Sequence, residues 1–140
     1  MDLGPLIRDL TSIDQMLIVL GDRGAVGEMH LDATKAPEFS DSYVTFWGDA
    51  WHVRMNMSRV TAVQFVEAED HGFVPFLYYV RFSDAEEQTV MRLYFPNPYL
   101  DDNEERTEFQ PERLQTFERL RDRYVGWEGI TYVHRERQNG

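Results

Sequence analysis

The sequence predicts an α+β fold, a mostly antiparallel β-sheet meander with a short N-terminal and a longer C-terminal amphipathic helix. Three observations predict it. Residues 51–67 read WHVRMNMSRVTAVQFVE, and their first half alternates. Trp51, Val53, Met55 and Met57 point one way and His52, Arg54 and Asn56 the other, the period of two that a half-buried strand requires. The strand-like runs that follow are joined by short polar connections, which antiparallel neighbours allow and parallel ones do not. Apolar residues at helical spacing occur in two segments, one near each end of the chain.

Residues 5–13 open the chain with Leu6, Ile7, Leu10 and Ile13 on one helical stripe, and Pro5 suits a first turn. Residues 15–20 (QMLIVL) are a short apolar strand ending in Gly-Asp-Arg-Gly, a turn sequence. Residues 25–31 form a weaker strand that completes a hairpin. Residues 33–40 contain Pro37 among small and polar residues and read as a loop. Residues 42–47 (SYVTFW) are β-branched and aromatic, and the Gly-Asp after them favours a tight turn into the Trp51 strand. Residues 59–67 follow as the next strand after almost no linker. The cluster Glu69-Asp70-His71-Gly72 is a turn. Residues 73–82 and 89–95 are two further strands, and Pro96 and Pro98 end the second. Residues 101–108 form an acidic, solvated loop. Residues 111–124 are the clearest helix, with Leu114, Phe117, Leu120 and Tyr124 on one stripe and Gly126 as its stop. Residues 130–133 add a short strand before a polar end at 134–140.

At 140 residues the chain is expected to form a single domain, 1–140, with a core of its own. The 9 Phe, 7 Tyr and 3 Trp supply large side chains for that core. The absence of cysteine excludes disulfides, thiolate metal sites and a cysteine nucleophile, and fits a reducing compartment. Residues 1–12 lack a basic start followed by an apolar run. No stretch reaches the ~18–20 apolar residues of a membrane helix. The expectation is a cytoplasmic chain without a membrane span. The formal net charge of −11 argues against a nucleic-acid partner, because phosphate binders present basic surfaces. A local arginine cluster still permits an anionic ligand.

In a regular meander, Arg54, Arg81 and Arg92 share one sheet face with Tyr79, Tyr94 and His52. Guanidinium forks bind carboxylates in bidentate fashion while aromatic rings cover a ligand's faces. The pattern therefore suits a flat apolar ligand bearing carboxylates. The competing reading is a set of exposed strand residues paired with surface carboxylates, which are common and weak. His52, inside its strand, and His30, beside Met29 at a strand end, are the candidate iron ligands. Each has the alternative role of a half-buried strand histidine. His71 lies in a turn and His134 near a polar end, so neither is a strong candidate. There is no nucleophile elbow, phosphate-binding glycine loop or dinucleotide fingerprint. The Asp and Glu pairs lie in turns, where solvation is their ordinary role, so the expectation is a binding protein rather than an enzyme.

The runs MLIVLGDRGAVGE, WHVRMNMSRVTAVQFVE, LYYVRFSD, TVMRLYF and LQTFERLRDRY resemble, in this order, the bacterial intracellular heme-utilisation family of heme carriers and hemin-degrading factors. The resemblance spans about residues 15–124. It implies a β-rich domain with a heme-binding cleft, a role in heme trafficking and iron utilisation, and a homodimer. Heme-ligating members carry a histidine within Val-His-Glu near the second strand, where this chain has Val26-Gly27-Glu28. His30 lies three residues on and points to the opposite strand face. Arg54, Arg81 and Arg92 would then hold heme propionates, with Tyr79 and Tyr94 beside them. The alternative is a module of the same fold, without that axial ligand, that binds a non-heme small molecule or a protein. Heme degradation is a third reading.

Overall fold

The structure, a computed structural model, describes residues 1–21, 24–70 and 72–136. Asp22 and Arg23 of the expected first turn, His71, and the polar end beyond residue 136 lie outside the described residues. Helix α1 (Gly4–Thr11) carries Pro5 in its first turn, and the Gly4 amide donates to Asp2 Oδ1 at 2.9 Å. Its buried face is Leu6, Ile7 and Leu10, the stripe expected from the spacing. Helix α2 spans Pro111–Tyr124, the predicted bounds, and buries Phe117, Leu120 and Tyr124.

Among the described residues eight strands lie between these helices and a ninth follows α2: β1 (Leu17–Gly21), β2 (Val26–His30), β3 (Glu38–Ser40), β4 (Tyr43–Trp47), β5 (His52–Asn56), β6 (Ala62–Glu69), β7 (Phe76–Ser83), β8 (Thr89–Tyr94) and β9 (Ile130–Arg135). They form two sheets. A six-stranded sheet has the order β2-β1-β8-β7-β6-β9, and a three-stranded sheet the order β3-β4-β5. All pairings are antiparallel except β6 with β9. The α+β class with a mostly antiparallel sheet is what the sequence predicts.

The differences from the sequence reading have local causes. The meander is not one sheet, because the turn at Met57–Arg59 redirects the chain between β5 and β6. Asn56 organises that turn, accepting from the Ser58 amide and hydroxyl. Residues 38–40, expected in a loop, pair with β4 as a short edge strand. The strand expected from residue 73 starts only at Phe76, after Pro75, which has no N–H for a ladder. The final strand runs on to Arg135, because β6 offers it a complete parallel ladder.

Register assigns the two faces of the large sheet. Val63, Phe65, Tyr78, Val80, Phe82, Met91, Leu93, Ile18 and Ile130 lie on one face and are almost wholly buried. Against them pack α1, α2 and Val44, Phe46 and Met55 from the small sheet, in one apolar cluster. Phe117 is central, with ring centroids 5.3 Å from Tyr78, 5.9 Å from Phe65 and 5.2 Å from Phe95. With both helices on the core face, the opposite face is left to the loops and the solvent. Among the described residues no helix is long and apolar enough to cross a membrane.

Candidate functional site

The outer face of the six-stranded sheet carries most of the residues singled out from the sequence. Partners in register share a face, so two adjacent rows can be read across it. One row is His30–Leu17–Tyr94–Tyr79–Val66, running from β2 to β6. The next is Glu28–Val19–Arg92–Arg81–Gln64. Same-face neighbours along a strand are roughly 7 Å apart and adjacent strands roughly 5 Å. The structure therefore brings Arg81, Arg92, Tyr79, Tyr94 and His30 onto one surface.

His52 and Arg54 are not part of it. Both are exposed on β5, in the other sheet, where His52 pairs with Trp47 and Arg54 with Thr45. The His52 ring packs 5.3 Å from Trp47, and the Arg54 guanidinium lies 4.7 Å over Tyr43. The alternation from Trp51 to Met57 is present as predicted, with Met55 buried and Trp51, Val53 and Met57 packed on the core. The expectation that failed is that β5 belongs to the same sheet as β7 and β8.

The arginine row has distinctive electrostatics. Arg81 donates to Gln64 Oε1 at 2.9 Å, to Thr89 Oγ1 at 2.7 Å and to the Glu87 carbonyl at 2.6 Å. Burial lowers its pKa first, and the charges of Arg135 and Arg92 lower it further. Among the described residues, Arg81, Arg92 and Arg135 make no ion pair. Arg81 and Arg92 thus lie side by side without a direct ion pair, with Glu28 in the same row and Asp84 acting on Arg81 from a distance. Arg81 and Arg92 line a concavity of about 280 Å³ with Val19, Gly21 and Thr89.

The tyrosine row is more enclosed. Tyr79 and Tyr94 have ring centroids 4.7 Å apart, and Tyr79 is 5% exposed. Burial raises the Tyr94 pKa first and the neighbouring Tyr79 adds to it, while Arg92 opposes. Tyr94 and His30 line a second hollow of about 140 Å³ with Leu17, Leu77 and Leu100. Its outer wall is the segment after β8. There the Asn97 side chain donates to the Phe76 carbonyl at 2.8 Å and accepts from the Tyr99 amide at 2.9 Å. Glu104 Oε1 lies 3.0 Å from His30 Nε2. Arg113 from α2 closes the wall, bonded to the Asn97 carbonyl and to Asp102 Oδ1. No described group of three or more His, Asp or Glu side chains is arranged to hold a metal ion.

Sequence reasoning missed this second hollow, and Arg113 and Leu100 with it. It read residues 101–108 only as an acidic solvated loop. Asp101 caps that loop internally, accepting from the Asn103 amide at 2.8 Å and the Glu105 amide at 3.1 Å. The Asp-x-Asn-x-Glu spacing with Tyr99 and Leu100 before it was the available signal.

The architecture is thus a mostly antiparallel sheet with both helices on its core face, an arginine-lined concavity on its outer face and a mainly apolar hollow at the end of β8. A family model with the description "-like" matches residues 4–124, and the chain belongs to that family. No curated protein matches the sequence. Among solved structures, protein AGR_C_4470 from Agrobacterium tumefaciens is similar, with TM-score 0.64 and 20% identity. That match covers 86% of this chain, which spans 66% of the length of the Agrobacterium protein. The heme binding protein ChuX is similar with TM-score 0.65 and 11% identity, over 87% of this chain and 72% of that one. A protein from Erwinia carotovora gives TM-score 0.63 and 12% identity, over 86% and 70%. At these identities the likeness is one of fold.

Proposed function

We propose that this chain binds heme, or a flat carboxylated ligand of the same kind, on the outer face of its six-stranded sheet. It would act as a cytoplasmic carrier in iron utilisation rather than as an enzyme, assembled as a homodimer. The observation that carries the reading is the Arg81–Arg92 pair. These side chains are co-facial with Tyr94 and His30, and among the described residues neither is held in a direct ion pair. The likeness of fold to ChuX, described as a heme binding protein, supports it.

The residues fit heme in chemistry. Arg81 and Arg92 match its carboxylates, Tyr94 and Leu17 its apolar surface, and the imidazole of His30 its iron. Bound there, heme would supply an iron centre open to axial ligation by His30. The open-sided hollow of about 140 Å³ is smaller than the ~300–1,000 Å³ of ordinary ligand pockets, so it takes one edge of such a ligand. The rest would lie along β1 and β8, over Val19 toward the arginines. Charge orients it, with carboxylates toward Arg81 and Arg92 and away from Asp101 and Glu104. His30 must first release Glu104.

The test is a titration with ferric heme followed by visible absorption. A saturable Soret shift is expected at about one heme per chain or per dimer. Replacing Arg81 and Arg92 together should weaken binding by at least about tenfold, since charge-assisted bidentate contacts are lost. His30→Ala should alter the spectrum as well as the affinity. Unchanged affinity in the double variant removes the carboxylate assignment. Light scattering of the purified chain checks the dimer.

A second reading is a non-heme module, favoured by Gly27 where the resemblance expects a histidine and by the small enclosed volume. It predicts no Soret shift at micromolar heme, with thermal stabilisation by another small ligand.

A further inference from the structure

The hollow beside β1 and β8 has a chemistry of its own, opposite in sign to the arginine row. Its floor is apolar, formed by Leu17, Leu77, Tyr94 and Phe95, with Leu100 over it. Its rim carries Asp101 and Glu104 together with Gln15 and with His30, which is bonded to Glu104. The cation in its wall, Arg113, is already engaged, 2.8 Å from Asp102 and 3.1 Å from the Asn97 carbonyl. Its side chain is only 17% exposed. An incoming carboxylate would meet two like charges and no uncommitted guanidinium.

Size narrows the ligand further. A cavity of about 150 Å³ lined by apolar side chains accommodates a benzene ring. This hollow, at about 140 Å³ and open on one side, has room on its floor for a single ring with a polar group left at the mouth. Two residues on its rim, Gln15 (φ 71°) and Glu104 (φ 61°), sit in the left-handed region although neither is glycine. Such conformations cost on the order of 1 kcal/mol each and cluster where side chains must be aimed. Both side chains can accept from an ammonium group. Glu104 has acceptor capacity beyond its contact with His30, because a carboxylate offers about four lone-pair sites.

We propose that this hollow is a binding site for a small apolar amine, a ring-sized monocation such as a benzylamine. The ring lies on Leu17, Leu77 and Tyr94, and the ammonium faces Asp101 and Glu104. The amine would compete with heme for the hollow that takes one edge of that ligand. It carries neither iron nor carboxylate and does not touch Arg81 or Arg92, so loss of heme binding leaves the proposal standing.

The experiment uses the isotope-labelled full chain and three probes of one shape: benzylamine, benzyl alcohol and benzoate. Amide shifts are followed by NMR. Benzylamine should perturb residues 96–104 together with Leu17 and His30. It should bind about tenfold more tightly than benzoate, with benzyl alcohol between them. Asp101→Asn with Glu104→Gln keeps the turn acceptors and removes the charge, and should bring amine and alcohol to near parity. Leu77→Trp should fill the hollow and abolish all three. Should that variant fail to fold, the charge-neutral pair still tests the assignment. Replacement of Arg81 and Arg92 should leave amine binding unchanged. Benzoate binding as tightly as benzylamine, shifts centred elsewhere, or no shift at millimolar probe would overturn the proposal.

Discussion

Tyr124→Phe tests the junction that ties the two helices together. Tyr124 is 1% exposed at the C-terminal end of α2, and its hydroxyl donates to Asp9 Oδ2 on α1 at 2.5 Å. A hydrogen bond to a charged group contributes ~1.5–3 kcal/mol. Asp9 also contacts Arg123 Nη1 at 3.0 Å and is one-third exposed, so removing the hydroxyl does not strand the carboxylate. The expected loss at neutral pH is therefore at the lower end, about 1–2 kcal/mol. The same hydroxyl makes the effect depend on pH. Burial first, then the Asp9 hydrogen bond and charge, push the Tyr124 pKa up to about 12. In the unfolded chain it is ~10. Below that lower value the phenol is neutral in both states and its contribution is complete. Between the two values the unfolded chain ionises while the native one does not. Stability then falls by ~1.4 kcal/mol per pH unit.

Phenylalanine has no proton to lose, so the deficit of the variant should shrink across that window, close within it and reverse toward its top. Urea denaturation of both proteins at a series of fixed pH values measures this. The difference curve cancels Tyr78, Tyr94 and Tyr132, whose pKa values are also raised. A deficit that stays constant through the alkaline window would show that the Tyr124 pKa is not raised in the folded chain. No deficit at neutral pH would show that the helix–helix bond contributes nothing.

Phe117→Ala should cost ~3–5 kcal/mol, because it empties a site enclosed by Phe65, Tyr78 and Phe95, and a thermal melt reads it directly. Arg92→Met should leave stability within ~0.5 kcal/mol, since no hydrogen bond or ion pair holds this side chain among the described residues. Arg81→Met should cost more, because Gln64, Thr89 and the Glu87 carbonyl lose their donor. Gly27→His should fold normally, with Met29 Cε at 3.7 Å the sole neighbour within contact range of an added Cβ. If the face of Gly27 rather than that of His30 is used for heme, this variant should tighten heme binding in the absorption titration; unchanged affinity favours the outer face.

The limits of the sequence reading follow from how far each signal reaches along the chain. Helix α2 was legible to its bounds because proline, the apolar stripe and the stop all lie within one short segment. The alternation after Trp51 was legible for the same reason. What it did not reveal was which sheet the strand joins. That depends on β1 pairing with β8, residues whose separation exceeds 70 positions. Once β1 and β2 occupy that edge, β7 and β8 lie in a sheet that β5 never enters. His52 and Arg54 then drop out of the arginine face, and His30 joins it. Period-two patterning fixes which residues share a side of one strand, and only register joins sides across strands.

That same register separates charge on the outer face. Arg92 and Arg81 pair directly across β8 and β7, an arrangement of like charges that costs stability unless something offsets it. Gln64, Thr89 and the Glu87 carbonyl hold Arg81 without neutralising it. At the other end of β8, the loop carrying Asp101 and Glu104 brings acid against an apolar floor. A structural role alone would be served by pairing the arginines with those carboxylates. The fold keeps them apart across Tyr94, which leaves a polarised surface: an anion is attracted to one end and repelled from the other. On the proposed reading, charge would orient a carboxylated ligand on this face before any contact of shape is made.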